Sequence, residues 1–442
     1  MGTASALLTA FVVLIVCLVI GVEVPICFAA TGLYLVFAVD FPTAGLFPTG
    51  YGSITSVALL AIPMFVMSGG LMESGGIGDR LVKWVSVFIG NVRGALWLIA
   101  TWACALFGSV CGSSIATLTA ISGIVGPKLQ QNKYPREWTA AIMCCAAPLG
   151  ALIPPSTLMI IYAWSAGVSV LGCFLSTVVP GIILACLISV NAYIVAKKHP
   201  EIQTTNVEWT GVGGFFKILG KNTVNAIPAL LMPVIVLGGI YSGVMTATES
   251  AAVSVVYAAV VSILIMKTIR FRDLGGAFLK TGKSTGAIMA MTFFMVILSN
   301  MLIKEGLPQV ILKGMLSISN NKWVIMLMIN IFLIFIGMIM DNTCGMMLVT
   351  PLLLPLVLEL GYSPYTFAAL LCVNLGMGSI TPPAAPFLYM TSEMFNVPTA
   401  KIIKPACILM GTCYLPVLLL ITAIPEISLW LPRLIMGIDI IG

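Results

Sequence analysis

The chain has 442 residues, 60% of them hydrophobic and 8% charged, with a formal net charge of +6. A soluble domain carries about 25% charged residues, so this composition excludes a water-covered globule. The basic residues are spread over separate segments with no aromatics interleaved on a polar face, which is no footprint for a nucleic-acid partner. Twelve cysteines form no CxxC pair, and the single histidine, His199, sits in the polar stretch KKHPE. No zinc pattern, nucleophile triad or Walker loop is present, so neither an enzyme nor an ATP-driven pump is supported.

Apolar runs at 5–22, 223–242, 248–266, 284–303 and 323–340, free of charge apart from Glu249 near one end, have about the length that crosses a bilayer core. The chain therefore reads as an all-α polytopic membrane protein in a lipid bilayer. The first run lacks a basic leader and is followed at once by further apolar segments, so it reads as a permanent span. Segment 80–93, with Arg80, Lys83 and Arg93, reads as a surface helix on the cytoplasmic side. Residues 97–126 read as a hairpin entering from that side, with Gly112, Ser113 and Ser114 near its tip.

Cytoplasmic loops are enriched in Lys and Arg. That rule puts Lys128, Lys133 and Arg136 inside, with Lys197, Lys198, Lys217 and Lys221, and with Lys267, Arg270, Arg272, Lys280 and Lys283. Segment 137–165 then runs outward and is interrupted by GALIPPST at 150–157; 170–196 returns. Runs 223–242 and 248–266 follow, joined by the turn YSGVM. The motif TATES at 246–250 fits an ordinary helix cap containing Glu249.

Segment 306–319, with Lys313 in its middle, is too short and polar to cross. Residues 322–358 form two apolar arms around Met340, Asp341, Asn342 and Thr343, as in a re-entrant hairpin entering from outside. Span 364–392, interrupted by GSITPPAA at 378–385, must run inward, and 401–442 reads as a C-terminal helix. Overlaying 127–155 on 355–383 with a constant shift matches eight of 29 positions, including Pro127 with Pro355, Tyr134 with Tyr362, Gly150 with Gly378, and Pro154 and Pro155 with Pro382 and Pro383. The copies are expected to be inverted, an architecture of many secondary transporters.

Proline removes a backbone donor and leaves carbonyls unpaired. At membrane depth, such groups persist only where protein, water or a ligand satisfies them. Each break therefore offers oxygens for a small cation and amide donors at a helix N-terminus for an anion. A carboxylate at this depth is a functional candidate by default, so Asp341 stands out; it suits a cation ligand and a proton carrier equally.

The stretches AIPMFVMSGGLMESGGI (61–77), LFGSVCGSSIAT (106–117), LGALIPPSTLMIIYA (149–163), TATESAA (246–252) and MDNTCGMMLVTPLLLPL (340–356) resemble the large membrane subunit of tripartite ATP-independent periplasmic (TRAP) transporters, over about 5–425. The resemblance implies a sodium-driven importer of small organic anions in the bacterial inner membrane. It also implies a soluble periplasmic substrate-binding protein and a small membrane subunit as partners; the large-subunit pattern begins at once, so the small subunit is expected as a separate chain. The implied fold is of the elevator ion-transporter type, with a scaffold and a mobile domain of two hairpins and two broken helices. Scaffold helices would occupy 1–93 and 169–321, the latter with the connecting arm. The mobile halves would be 94–168 and 322–400.

Carried over by motif, one Na+ site would lie among Ser109, Ser113, Ser114, Gly150, Ile153 and Pro155, and a second among Gly337, Gly378 and Thr381. The substrate would sit near Ser114, Ser156, Asp341 and Asn342. Cys111 before the serines, and Pro-Pro-Ala where the first copy has Pro-Pro-Ser, depart from the commonest family pattern. Since neither break contains Arg or Lys, the anion is expected to bind without a buried basic residue. A proton-coupled carrier and a stand-alone carrier without a binding protein are the rival readings.

Overall fold

The computed structural model describes residues 3–90, 92–203, 211–382 and 385–437. Among these, every regular element is helical. Eight helices are long and apolar enough to cross a membrane. Arg136–Leu152 and Thr157–Ala166 pass together as a further span bent by 50°. Segment ends carry local helix signals. Thr246 and Glu249 form a reciprocal capping box at the start of Ala247–Val260. Ser169 caps Val170–Lys197, and Ser363 caps Pro364–Gly378, whose first residue is a proline that lacks only an orphan donor there.

Two groups of helices can be followed through the contacts. In the first, Ala61–Ser74 packs along Ala247–Val260, and Val24–Ala38 packs along both Thr3–Ile20 and Leu274–Lys304. The helix Ile77–Ile89 docks on Gly211–Tyr241, where Trp84 Nε1 donates to Thr223 Oγ1 (3.0 Å) and Arg80 donates to the Asn225 carbonyl (3.3 Å). Away from that contact, Lys83 pairs with Asp79 at 2.5 Å.

The second group holds both hairpins and both interrupted spans. The first hairpin is Ala95–Cys111 and Ser114–Gln131; the second is Lys322–Ile339 and Asn342–Glu359. Each packs on the interrupted span that follows it. The two interrupted spans lie antiparallel. Gly376 abuts Pro148, Cys372 lies 3.9 Å from the Ala151 carbonyl, and Tyr162 donates to the Pro364 carbonyl at 2.5 Å, its ring meeting Phe367 edge-on. Partner numbers fall as the chain rises, which only opposite directions produce.

A chain of buried polar groups is paired across this second group. Asn374 donates to Asn330, Asn330 donates to Thr422, and Tyr362 donates to the Thr422 carbonyl. In an apolar setting these bonds fix the register of the hairpin, the interrupted span and the C-terminal region.

Two expectations change. The region read as one C-terminal helix is two, since the helix through Leu415–Ala423 ends before Pro425 and a separate Glu426–Met436 follows. Lys280 and Lys283 are not loop residues: helix Leu274–Lys304 starts well before them and carries both.

Candidate functional site

The first hairpin turns at Gly112, whose φ of +62° suits glycine, and Ser113 then starts the returning arm in extended backbone. This tip sits on the first break. Thr157 donates to the Gly112 carbonyl from both its backbone nitrogen (3.3 Å) and its hydroxyl (3.0 Å). A Cβ on Gly112 would lie 2.9 Å from the Pro155 carbonyl oxygen. One turn earlier, Gly108 lies against Gly150: a Cβ on Gly108 would stand 2.3 Å from the Gly150 Cα. Around Gly150 itself, an added Cβ would meet Thr117 Oγ1 at 2.3 Å and the Ser113 carbonyl at 2.9 Å. The Thr117 hydroxyl and Ser113 carbonyl of the returning arm therefore press on the break at Gly150.

The second copy repeats this contact. A Cβ on Gly378 would stand 2.5 Å from the Gly337 Cα and 2.7 Å from the Ile334 carbonyl oxygen. Ser379 Oγ donates to Asn342 Oδ1 at 2.5 Å and ties the second tip to the second break. Asp341 accepts from the Thr343 amide (3.0 Å) and caps Asn342–Glu359. Pro383 and Ala384, part of the predicted second break, lie outside the described residues.

Both tips open on one cavity of about 580 Å³. Ser114, Asp341 and Asn342 of the expected substrate set line it together, with Ser113 of the expected first Na+ site. Ser156 lies just behind, its Cα 3.5 Å from the position of a Gly112 Cβ. The hydroxyls of Ser114 and Ser156 are buried and make no hydrogen bond. Ser109 and Thr381 instead donate to carbonyls of their own helices, Leu106 and Met377. The Ile153 side chain turns toward Gly181 on Val170–Lys197, leaving its main chain at the break.

Four helices begin at this cavity. Their first-turn residues Ser114, Thr157, Asn342 and Phe387 all line it. Ser113 and Ser156, at the N-caps of two of these helices, make no side-chain capping bond. Thr157, Thr343 and Phe387 already give their amides to the Gly112 carbonyl, the Asp341 carboxylate and the Ser379 carbonyl, so it is the convergence of positive dipole ends that favours an anion here.

Sequence reasoning missed several participants. Gly108 and Thr117 lie within LFGSVCGSSIAT, one turn to either side of the serines, and Ser379 directly follows Gly378. The opposite wall comes from Ala61–Ser74 and Leu274–Lys304 and brings Glu73, Lys280, Thr281 and Ser284. The breaks themselves contain no basic side chain, as read from the sequence, and the facing wall adds the exposed Lys280 to the lining. Its signal was helical spacing, since residues 277, 280, 281, 284, 288 and 291 share one face.

Comparison with known proteins decides the family. Residues 11–427 match the model of the tripartite ATP-independent periplasmic transporter, DctM component. The chain belongs to this family. A C4-dicarboxylate TRAP transporter large permease protein DctM of Pseudomonas aeruginosa is 35% identical, over 85% of this chain and 86% of that one. The protein of the same description from Vibrio cholerae is 31% identical over 98% of both chains. The crystal structure of the Alcanivorax borkumensis YdaH transporter, described as having an unusual topology, has the same fold. Its TM-score is 0.63 at 16% identity, over 90% of this chain and 89% of that one. This DctM-family protein is thus a multi-pass large permease subunit of a TRAP transporter, and not an enzyme.

Proposed function

We propose that this permease imports a small organic anion, a carboxylate or sulfonate, across the bacterial inner membrane by sodium symport. A periplasmic substrate-binding protein delivers the anion, and a separate small membrane subunit completes the transporter. C4-dicarboxylates, named for the two relatives above, are the first candidates. The observation that carries the anion reading is the convergence of four helix N-termini on one cavity.

The cations would be seated behind it. Gly108 against Gly150, and Gly337 against Gly378, bring helix C-terminal carbonyls and hairpin carbonyls together, the donor chemistry of a small hard cation. Thr117 and the unbonded Ser114 hydroxyl join the first set, and the Ser113, Ile153 and Pro155 main chain borders it. Ser114, Ser156, Asp341 and Asn342 meet the substrate. Sodium ions offset the charges of Asp341 and the anion together, so the loaded site can cross the membrane. Each uncompensated charge costs about 2.3 kcal/mol per 100 mV, and an excess of cations over substrate charge therefore makes the potential a driving force for uptake.

Residues 94–168 and 322–400 would move as one body against the remaining helices. Support comes from the antiparallel packing of the two interrupted spans, which suits inverted copies, and from the Tyr162 bond and Pro148 contact that join the halves. The test is uptake of labelled succinate, isethionate and a sugar acid by proteoliposomes holding both membrane subunits, with binding protein outside. Uptake requires an inward sodium gradient and the binding protein. Sodium-independent uptake that fails in Asp341→Asn would instead establish proton coupling. Uptake by the large subunit alone would establish a stand-alone carrier.

A further inference from the structure

We infer that Lys280 is the anion receptor of the non-moving wall, on a cavity lining it shares with the carboxylate of Glu73. This rests on the anion-import reading above and adds a specificity-determining residue to it. Three ionisable carboxylate or ammonium side chains line the cavity: Glu73, Lys280 and Asp341. Two are acidic, so an entering carboxylate meets repulsion from both, and Lys280 alone among the lining residues offers a fixed positive charge. Ammonium and carboxylate pair as charge-assisted hydrogen-bond partners.

The location gives this charge a direction. Lys280 lies on the cavity face of Leu274–Lys304, with Thr281 and Ser284 beside it as further hydroxyl donors and Met291 about 16 Å along the helix at the apolar end. Glu73 and Ser74 close the same end from the C-terminus of Ala61–Ser74. Lys267, Arg270, Arg272 and Lys283 flank Lys280 in sequence, so the rule for positive residues puts this end toward the cytoplasm. Asp341 and the serines belong to the hairpins, whereas Lys280 stays with the wall. An anion carried by the hairpins therefore gains Lys280 only at the cytoplasmic end of its path, and exchanges hairpin amides for an ammonium group as it leaves.

The test compares the two faces of the reconstituted two-subunit transporter, using whichever of succinate, isethionate and a sugar acid the wild type carries fastest. Lys280→Gln raises the half-saturating anion concentration for exchange from the cytoplasmic face about tenfold. Half-saturation from the binding-protein side changes less than about twofold, because Lys280 is not engaged there. Lys280→Arg, which keeps the charge, returns the cytoplasmic value to within about threefold of wild type. Glu73→Gln, which removes the competing carboxylate, lowers it. Equal effects on both faces, no effect of Lys280→Gln, or no recovery in Lys280→Arg would overturn the inference. The outcomes separate from those for coupling: a wild type that transports without sodium but keeps the one-sided Lys280→Gln defect refutes symport and upholds the receptor. A wild type that needs sodium for uptake, but whose exchange from the cytoplasmic face is indifferent to Lys280→Gln, does the reverse.

Discussion

Gly108 and Gly150 stand so close that a single Cβ on Gly108 would come within 2.3 Å of the Gly150 Cα. Gly337 and Gly378 repeat the relationship in the second half at 2.5 Å. Two hairpins thus reach two helix breaks by the same device, with backbone against backbone and no side chain between.

Replacing either partner should separate tip from break. Gly150→Ala would drive a methyl group into Thr117 Oγ1 and the Ser113 carbonyl, and overpacking of this kind costs about 1–3 kcal/mol. Thermal unfolding of the purified complex should show that loss, and sodium-driven uptake should fall at least tenfold. Gly123→Ala is the control: nothing lies within 4 Å of its added Cβ, and the exchange within a helix is worth up to about 1 kcal/mol of added stability.

Ser114 and Ser156 give the opposite pattern. Their hydroxyls are buried and unbonded in the protein alone, so Ser114→Ala and Ser156→Ala remove no internal partner and should leave unfolding without sodium or substrate unchanged, or slightly higher. If these hydroxyls are reserved for solutes, the stabilisation conferred by added sodium and anion should shrink in both variants. A drop in the stability of the ligand-free protein would show that they are structural.

Asp341 separates charge from capping. Asparagine can still accept the Thr343 amide bond, so Asp341→Asn should fold normally, whereas Asp341→Ala should lose the cap as well, at about 1 kcal/mol. Both should abolish sodium-driven accumulation in proteoliposomes. Ser379→Ala, which frees Asn342 Oδ1 from its 2.5 Å bond, should raise the half-saturating sodium concentration several-fold while keeping a measurable maximum rate.

Much of this was legible in the chain because a glycine followed closely by paired prolines interrupts an apolar helix more severely than the single prolines inside Val170–Lys197 or Gly211–Tyr241. Gly150, Pro154 and Pro155 marked the first break, Gly378 the second, and Asp341 the second tip, each by a violation of what a lipid-embedded helix tolerates. Gly108 and Thr117 were harder to read, since a glycine and a threonine inside a helix violate little; only the partner brought against them by folding gives them a role. Lys280 was hidden for another reason. A lysine near several basic residues reads as a cytoplasmic loop, and its place on a cavity wall depends on a helix that starts at Leu274 and on which face that helix turns to the hairpin tips.

Sodium titration of the unfolding midpoint tests the central claim most directly. A ligand bound only to the folded state adds about 2.7 kcal/mol at a hundred times its dissociation constant. Two cation seats at the breaks predict a midpoint that climbs with sodium chloride, stays level in equal choline chloride, and responds less steeply in Ser114→Ala. A midpoint that rises equally with choline, or a sodium response untouched by Gly150→Ala and Ser114→Ala, would contradict the assignment of cations to the paired hairpin tips and breaks.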